Sequence, residues 1–235
     1  MTPEPRPNLS AGHRDRLRAR FQKSGLGGFH DYEILELLLT YAIPRCDTKP
    51  IAKALIAEFA GLAGVLDASV QELESVKGVG RQASILLSLV KQVCSEYLRH
   101  RLVGLNVIRN PEAVVEYCRM SLAGLKHEVV HLLLVDSRNR VISDKTLFEG
   151  SIDQSQVYPR RIVEEALTHH ASGFILVHNH PSGAVNPSAD DKALSRRVLD
   201  AAKAVDLRFL DHLVVGREGE GYFSFREHGL LGEAP

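Results

Sequence analysis

The stretch GFILVHNHPSGAVNPSADDKAL, residues 173–194, gathers two histidines, a serine and two aspartates around a Pro-Ser-Gly turn. An apolar run ends on His178-Asn179-His180. Side chains alternate along an extended strand, so Phe174, Leu176, His178 and His180 point one way and Asn179 the other. After Pro187, Ser188 opens a new helical pattern with Asp190 and Asp191 in its first turn. Two imidazoles on one strand face and one carboxylate from the next helix supply three ligands and leave a fourth position for water. That is the open tetrahedral set of a catalytic zinc. Such an ion brings the pKa of its water towards neutrality and makes hydroxide available as a nucleophile. Each half also has a plainer reading. Ser188 serves as an N-cap and the aspartate pair complements the helix macrodipole. A His-x-His pair alone is as well explained as ordinary strand residues, and Asn179 reads as a structural hydrogen bonder.

The elements that must position these residues are strands interleaved with helices. PEAVVEYCRM reads as a helix with Pro at its start, EVVHLLLVD and RVISDKTLFEG as strands joined by a hairpin turn at SRN, and YPRRIVEEALTHHA as a helix. GFILVHNH is apolar on both faces, which marks a central, buried strand. SADDKALSRRVLDAAKAV is a long helix, and LRFLDHLVVG and YFSFRE are strands. The pattern predicts a mixed α/β sheet covered by helices.

The preceding part of the chain is helical throughout. DYEILELLLTYAI starts at an Asp that can cap it, Asp31, and stops before Pro44. TKPIAKALIAEFAG has Thr48 as N-cap and Gly61 as a stop, and SVQELESV carries a Ser69-to-Glu72 capping box. RQASILLSLVKQVCSEYLRH is the longest helical run. Between these last two, KGVGRQA places Gly78 and Gly80 on either side of Val79. A Gly-hydrophobic-Gly turn aims backbone N–H groups outward at a helix N-terminus, where a phosphate can be held without reading a base. The turn resembles a helix-hairpin-helix motif, with Lys77, Gly78, Val79, Gly80 and Arg81 as the DNA-contacting residues and Lys91 adding charge nearby. Alternatively, the glycines only cap one helix and let the next pack closely.

The chain has 235 residues, 44% apolar and 25% charged, with a formal net charge of zero. Bulk charge therefore argues neither for nor against nucleic acid. HRDRLRARFQK concentrates the basic excess locally and also fits a solvated helix face. There is no run of roughly 18 apolar residues for a membrane span and no apolar signal-peptide core at the start. Cys46, Cys94 and Cys118 are odd in number and form no Cys-x-x-Cys pair, which fits reduced thiols in a cytoplasm. The expected organisation is a disordered tail over 1–9, a helical domain over 10–101, a linker over 102–110 and an α/β domain over 111–235.

His178-x-His180, seven residues, then Ser188-x-x-Asp191 resembles the H-x-H-x7-S-x-x-D signature of the JAMM (MPN+) metalloprotease superfamily. HNHPSG, PS..D and the later LDHLVVG resemble the RadC family in particular, and the resemblance runs from about residue 14 to residue 230. It implies an all-α helix-hairpin-helix N-terminal domain and a mixed-sheet, cytidine-deaminase-like α/β domain. It implies Zn2+ held by His178, His180 and Asp191, with Ser188 donating to the oxyanion of a tetrahedral intermediate. A glutamate from an earlier strand would shuttle the proton. Glu128 matches best, at the edge of an apolar strand face with Val130, Leu132 and Leu134, and Glu149 is the runner-up. Asp190 competes with Asp191 for the metal, but the spacing selects Asp191. His131, His169 and His170 read as surface or satisfied core residues. Asp211-His212 matches the family and suggests support behind the ligands or core hydrogen bonding.

The implied function is a zinc-dependent peptidase or isopeptidase with non-specific DNA contact through the N-terminal domain. The rivals are a metal-dependent enzyme acting on DNA and a non-catalytic DNA-binding scaffold with a structural zinc. The family's association with DNA repair does not decide among them. A peptide or protein substrate is expected, with no membrane partner; neither the scissile bond nor an oligomeric state follows from the sequence.

Overall fold

The computed structural model describes residues 9–44, 46–150, 159–217 and 221–231. The tail expected over 1–9 lies outside them except for Leu9, the first residue of a helix. The chain groups into two compact units, Met1–Val93 and Cys94–Pro235. Among the described residues, no helix is long and apolar enough to cross a membrane.

The first unit is all helical. It contains α1 (Leu9–Ser24), α2 (Asp31–Ala42), α3 (Lys49–Phe59), α4 (Leu62–Asp67), α5 (Val70–Ser75) and the start of α6 (Arg81–Leu102). Leu35, Leu39, Leu55, Leu73 and Leu87 are fully buried in one apolar cluster. One cap sits at a different residue from that expected, and a second lacks its side-chain bond. His30, not Asp31, is the N-cap of α2, because the Asp31 carboxylate is engaged by the Leu62 N–H at the start of α4, at 3.2 Å. Thr48 occupies the N-cap position of α3 but donates its hydroxyl to the Glu36 carbonyl, while Asp47 Oδ1 accepts from the Lys49 N–H at 3.0 Å. The Ser69–Glu72 box at α5 forms as expected.

The second unit continues with α7 (Pro111–Leu122), β1 (Glu128–Val135), β2 (Val141–Gly150), α8 (Pro159–Thr168), β3 (Gly173–Asn179), α9 (Ala189–Lys203), β4 (Arg208–Val215) and β5 (Tyr222–Ser224). The five strands form one mixed sheet in the order β2-β1-β3-β4-β5, with β3 antiparallel to β1 and parallel to β4. β3 is thus central, and every residue in it is buried. One face carries Val130, Leu132, Leu134, Phe174, Leu176 and Val214 against Ile162 and Ala166 of α8 and Val198 and Ala202 of α9. The other carries Val129, Leu133, Val135, Ile175, Val177 and Leu213 against Val114, Tyr117, Cys118 and Leu122 of α7. Each such aliphatic side chain stabilises the fold by about 1.5–3 kcal/mol on full burial, so neither face can be left uncovered.

Three expectations are corrected here. The segment 102–110 is no free linker: Leu102 and Val107 are buried in the α7-side cluster, and Val103 and Asn106 form bridges to Val141 and Arg140. The compact units divide within α6, ahead of the expected boundary at 101. The last strand stops at Ser224, whose Oγ accepts from the Glu227 N–H at 3.0 Å and turns the chain away.

Candidate metal centre

His178 is the next-to-last residue of β3, and the His180 N–H still reaches the Val215 carbonyl at 3.4 Å. The extended conformation therefore persists through both histidines and puts them on one face, with Nε2 to Nε2 at 2.9 Å. His178 is buried and His180 half-buried. The chain then reverses over Pro181–Gly183, closed by the Gly183 N–H donating to the His180 carbonyl at 2.9 Å. Gly183 has φ of 90°, a conformation that glycine adopts without a Cβ penalty. The turn brings the Ala184 carbonyl to 2.7 Å from His180 Nδ1.

Ser188 is the N-cap of α9, its Oγ accepting from the Asp191 N–H at 3.1 Å. The Ser188 N–H and hydroxyl both donate to Asp191 Oδ2, at 2.7 and 2.6 Å. This box fixes the Asp191 carboxylate with Oδ1 at 3.3 Å from His178 Nε2 and Oδ2 at 3.4 Å from His180 Nε2. The capping box and the candidate ligand group thus share Asp191. His178, His180 and Asp191 form a group whose candidate ligand atoms all lie within 4.8 Å of one another. Asp190 is exposed at the rim of the adjoining cleft and is not in that group.

The donor chemistry of the group fits a cation. A carbonyl only accepts, so His180 Nδ1 carries the hydrogen shared with Ala184, and Nε2 of the neutral ring offers a lone pair. That lone pair faces His178 Nε2 and Asp191 Oδ2. Burial would raise the Asp191 pKa, but hydrogen bonding to His178 and His180 outweighs it and holds the carboxyl well below its ordinary range. The Asp191 carboxylate raises the His180 pKa. Acceptors and negative charge converge where a positive ion is needed, and two imidazoles with a carboxylate are a donor set for zinc or a similar transition metal.

A cleft of about 670 Å³ opens beside the group, lined among others by Glu128, Val130, Ser188 and Arg197. Glu128 is half-buried on the face shared by Val130 and His178. Glu149 pairs across β1–β2 with Val129, whose side chain faces α7, so Glu149 sits on the opposite side of the sheet from His178. Asn179 also points to that side, as expected: its Oδ1 accepts from the Val129 N–H at 2.8 Å, and its Nδ2 donates to the Leu125 and His127 carbonyls.

His212 is fully buried and reaches His178 Nδ1 with Nε2 at 2.9 Å and Ser195 Oγ with Nδ1 at 2.6 Å. Burial depresses its pKa well below the ordinary value. Asp211 points elsewhere, accepting from Ser224 Oγ at 2.6 Å and from the Arg226 N–H. His131 is buried on the α7 side with Nε2 at 3.4 Å from Asp144, far from the cleft in the sheet's layering. His169 Nδ1 donates to the Glu165 carbonyl, and His170 is exposed.

In the helical unit the turn between α5 and α6 exposes Lys77, Gly78, Gly80 and Arg81 and buries Val79 among Leu73, Ala83 and Leu87. Gly78 has φ of 95°, and a Cβ there would meet Ile51 at 3.0 Å. Arg81 pairs with Glu74 at 3.3 Å and Lys91 with Asp67 at 2.5 Å, so both have acidic partners already.

Sequence reasoning missed Ser195 and Arg197. Ser195 stands four residues after Asp191 on α9, so helical periodicity from the candidate ligand was the signal that could have found it. Arg197 carried no motif. A family model for the RadC-like JAB domain matches residues 108–230, which takes in the whole sheet, the cleft and the His-His-Asp group, and leaves the α5–α6 turn outside. Domains of this type bind a metal, and the match covers more than half of the sequence. The chain belongs to the RadC-like JAB-domain family.

Proposed function

We propose that the chain is a zinc-dependent hydrolase cleaving peptide or isopeptide bonds, with His178, His180 and Asp191 holding the ion. The observation that carries this reading is the convergence of three ligand side chains beside a cleft that also presents a carboxylate, Glu128, and a hydroxyl, Ser188. Imidazole nitrogens favour zinc over the hard, oxygen-seeking cations. When bound, zinc supplies Lewis acidity and makes water a nucleophile near neutral pH. Glu128 takes the proton from the attacking water and returns it to the leaving nitrogen. The Ser188 hydroxyl, now given to Asp191 Oδ2, stabilises the developing oxyanion once turned into the cleft. The test is elemental analysis of the full-length protein with parallel peptide, isopeptide and DNA substrates. About one zinc per chain and chelator-sensitive peptide or isopeptide cleavage support the reading. Zinc-dependent cleavage of DNA alone would move the activity to nucleic acid.

Non-specific DNA association through the α5–α6 turn is the second reading, favoured by the exposure of Lys77, Gly78 and Gly80 around a buried Val79. Salt-sensitive, sequence-independent binding by the full chain that weakens in Lys77→Glu supports it. Equal binding by that variant makes the turn a packing element.

A further inference from the structure

Resting on the metal reading above, we infer that His212 and Ser195 are positioning residues that hold His178 in the tautomer able to ligate through Nε2, and that they tie the two ligand-bearing elements, β3 and α9, together. The inference follows from counting hydrogens along one buried chain of contacts. Ser195 Oγ lies 2.7 Å from the Asp191 carbonyl and 2.6 Å from His212 Nδ1. A carbonyl has no hydrogen to give, so the single Ser195 hydroxyl hydrogen goes to the Asp191 carbonyl. His212 Nδ1 must then donate to Ser195 Oγ. The His212 ring is fully buried, and its hydrogen-bond partners are a hydroxyl and an imidazole, neither an acid. It is therefore held as the neutral ring, and its Nε2 is an acceptor. Among the described residues, the hydrogen-bond partner of Nε2 is His178 Nδ1, at 2.9 Å, which must carry a hydrogen. His178 Nε2 is left with a lone pair facing His180 Nε2 and Asp191 Oδ1.

The partner is unusual in kind. His180 is oriented by a backbone carbonyl, the common arrangement for a ligating histidine. His178 is oriented by a second imidazole, which could accept or donate unless something fixes it. Ser195 fixes it, and Ser195 is itself bonded to the backbone of Asp191, the third ligand. Phe225 stacks on His212 with ring centroids 4.6 Å apart and planes 23° apart, which fixes the ring plane. The contacts thus run from Asp191 on α9 through Ser195 and His212 on β4 to His178 on β3. A shift of α9 against the sheet would break the tautomer lock as well as move the carboxylate.

The test uses the full-length chain and two readouts. In metal-free wild type at about pH 8, where an ordinary imidazole is neutral, long-range 1H–15N correlation assigned with His178→Ala should show His178 protonated on Nδ1. Zn2+ affinity, measured by chelator competition, should fall about 10–100-fold in His212→Phe, which keeps the ring stack and removes the acceptor. Ser195→Ala should lower it in the same direction. His212→Gln, whose amide oxygen can accept from Nδ1, should recover part of the loss, which a purely structural role would not produce. His178 protonated on Nε2, or unchanged Zn2+ affinity in a folded His212→Phe, overturns the inference. If His212→Phe does not fold, the wild-type tautomer and Ser195→Ala decide. Wild type that binds no Zn2+ defeats the zinc reading instead, and the tautomer of the metal-free chain still settles the role of His212.

Discussion

Val130 on β1 sits directly across the sheet from His178 on β3. Cross-strand partners present side chains to the same face, and residues two apart on a strand do so as well. This one pairing therefore puts Glu128 on the face of His178 and His180, at the mouth of the cleft. A slip of one residue would have turned Glu128 towards α7 and brought Val129 to the site.

The register makes Glu128 and Glu149 a matched pair for testing catalysis. Glu128→Gln keeps the shape and removes the proton acceptor. Zinc content and melting temperature should stay near wild type, while turnover of a responsive substrate falls by about 10²–10⁴-fold. Glu149→Gln, on the other side of the sheet, should leave turnover unchanged. Steady-state kinetics beside metal analysis reads both. Equal activity in Glu128→Gln would remove it from the chemistry.

Adjacent aspartates on α9 should separate just as sharply. Asp191→Asn, His178→Ala and His180→Ala should each reduce bound metal, and Asp190→Asn should retain it. Ligand binding to the folded state alone stabilises by about 2.7 kcal/mol at a concentration 100 times Kd. Melting temperature measured with zinc and with excess chelator should therefore differ in wild type and in Asp190→Asn, and the difference should shrink in the three ligand variants. Asparagine can still accept the cap hydrogen bonds, so Asp191→Asn should lose little stability under chelator.

The cluster on the α7 side gives a pH prediction independent of the metal. The His131 imidazole at 3.4 Å, and then the Tyr117 hydroxyl at 2.7 Å, lower the Asp144 pKa to about 2 against the opposing effect of burial. A carboxyl whose folded pKa lies below its unfolded value stabilises fully above the unfolded value, near 3.8, and loses that contribution as pH falls towards about 2. The contribution is on the order of 2 kcal/mol. Urea unfolding between about pH 6 and pH 2 should show a shallower acid-side decline in Asp144→Asn than in wild type. Parallel profiles would mean that the cluster adds no differential stability.

Sequence alone determined the parts whose cause is local. The alternation in GFILVHNH fixed the shared face of His178 and His180, the apolar character of both its faces made it the central strand, and the Ser188–Asp191 spacing marked both a capping box and a candidate ligand position, because strand and helix periodicities are set by backbone geometry. What depended on pairing between distant segments was open. The choice of Glu128 over Glu149 rested on resemblance, and only the β1–β3 and β1–β2 registers put the two on opposite faces. The role of His212 stayed open between support behind the ligands and core hydrogen bonding, because its partners Ser195 and His178 come from two other elements and meet only when β4 aligns parallel to β3 beneath α9. The segment 102–110 looked like a linker because its few apolar residues follow no period, yet Leu102 and Val107 fill gaps against α7. Tertiary packing selects such residues by the space they occupy, and that space exists only once the sheet and its helices have come together.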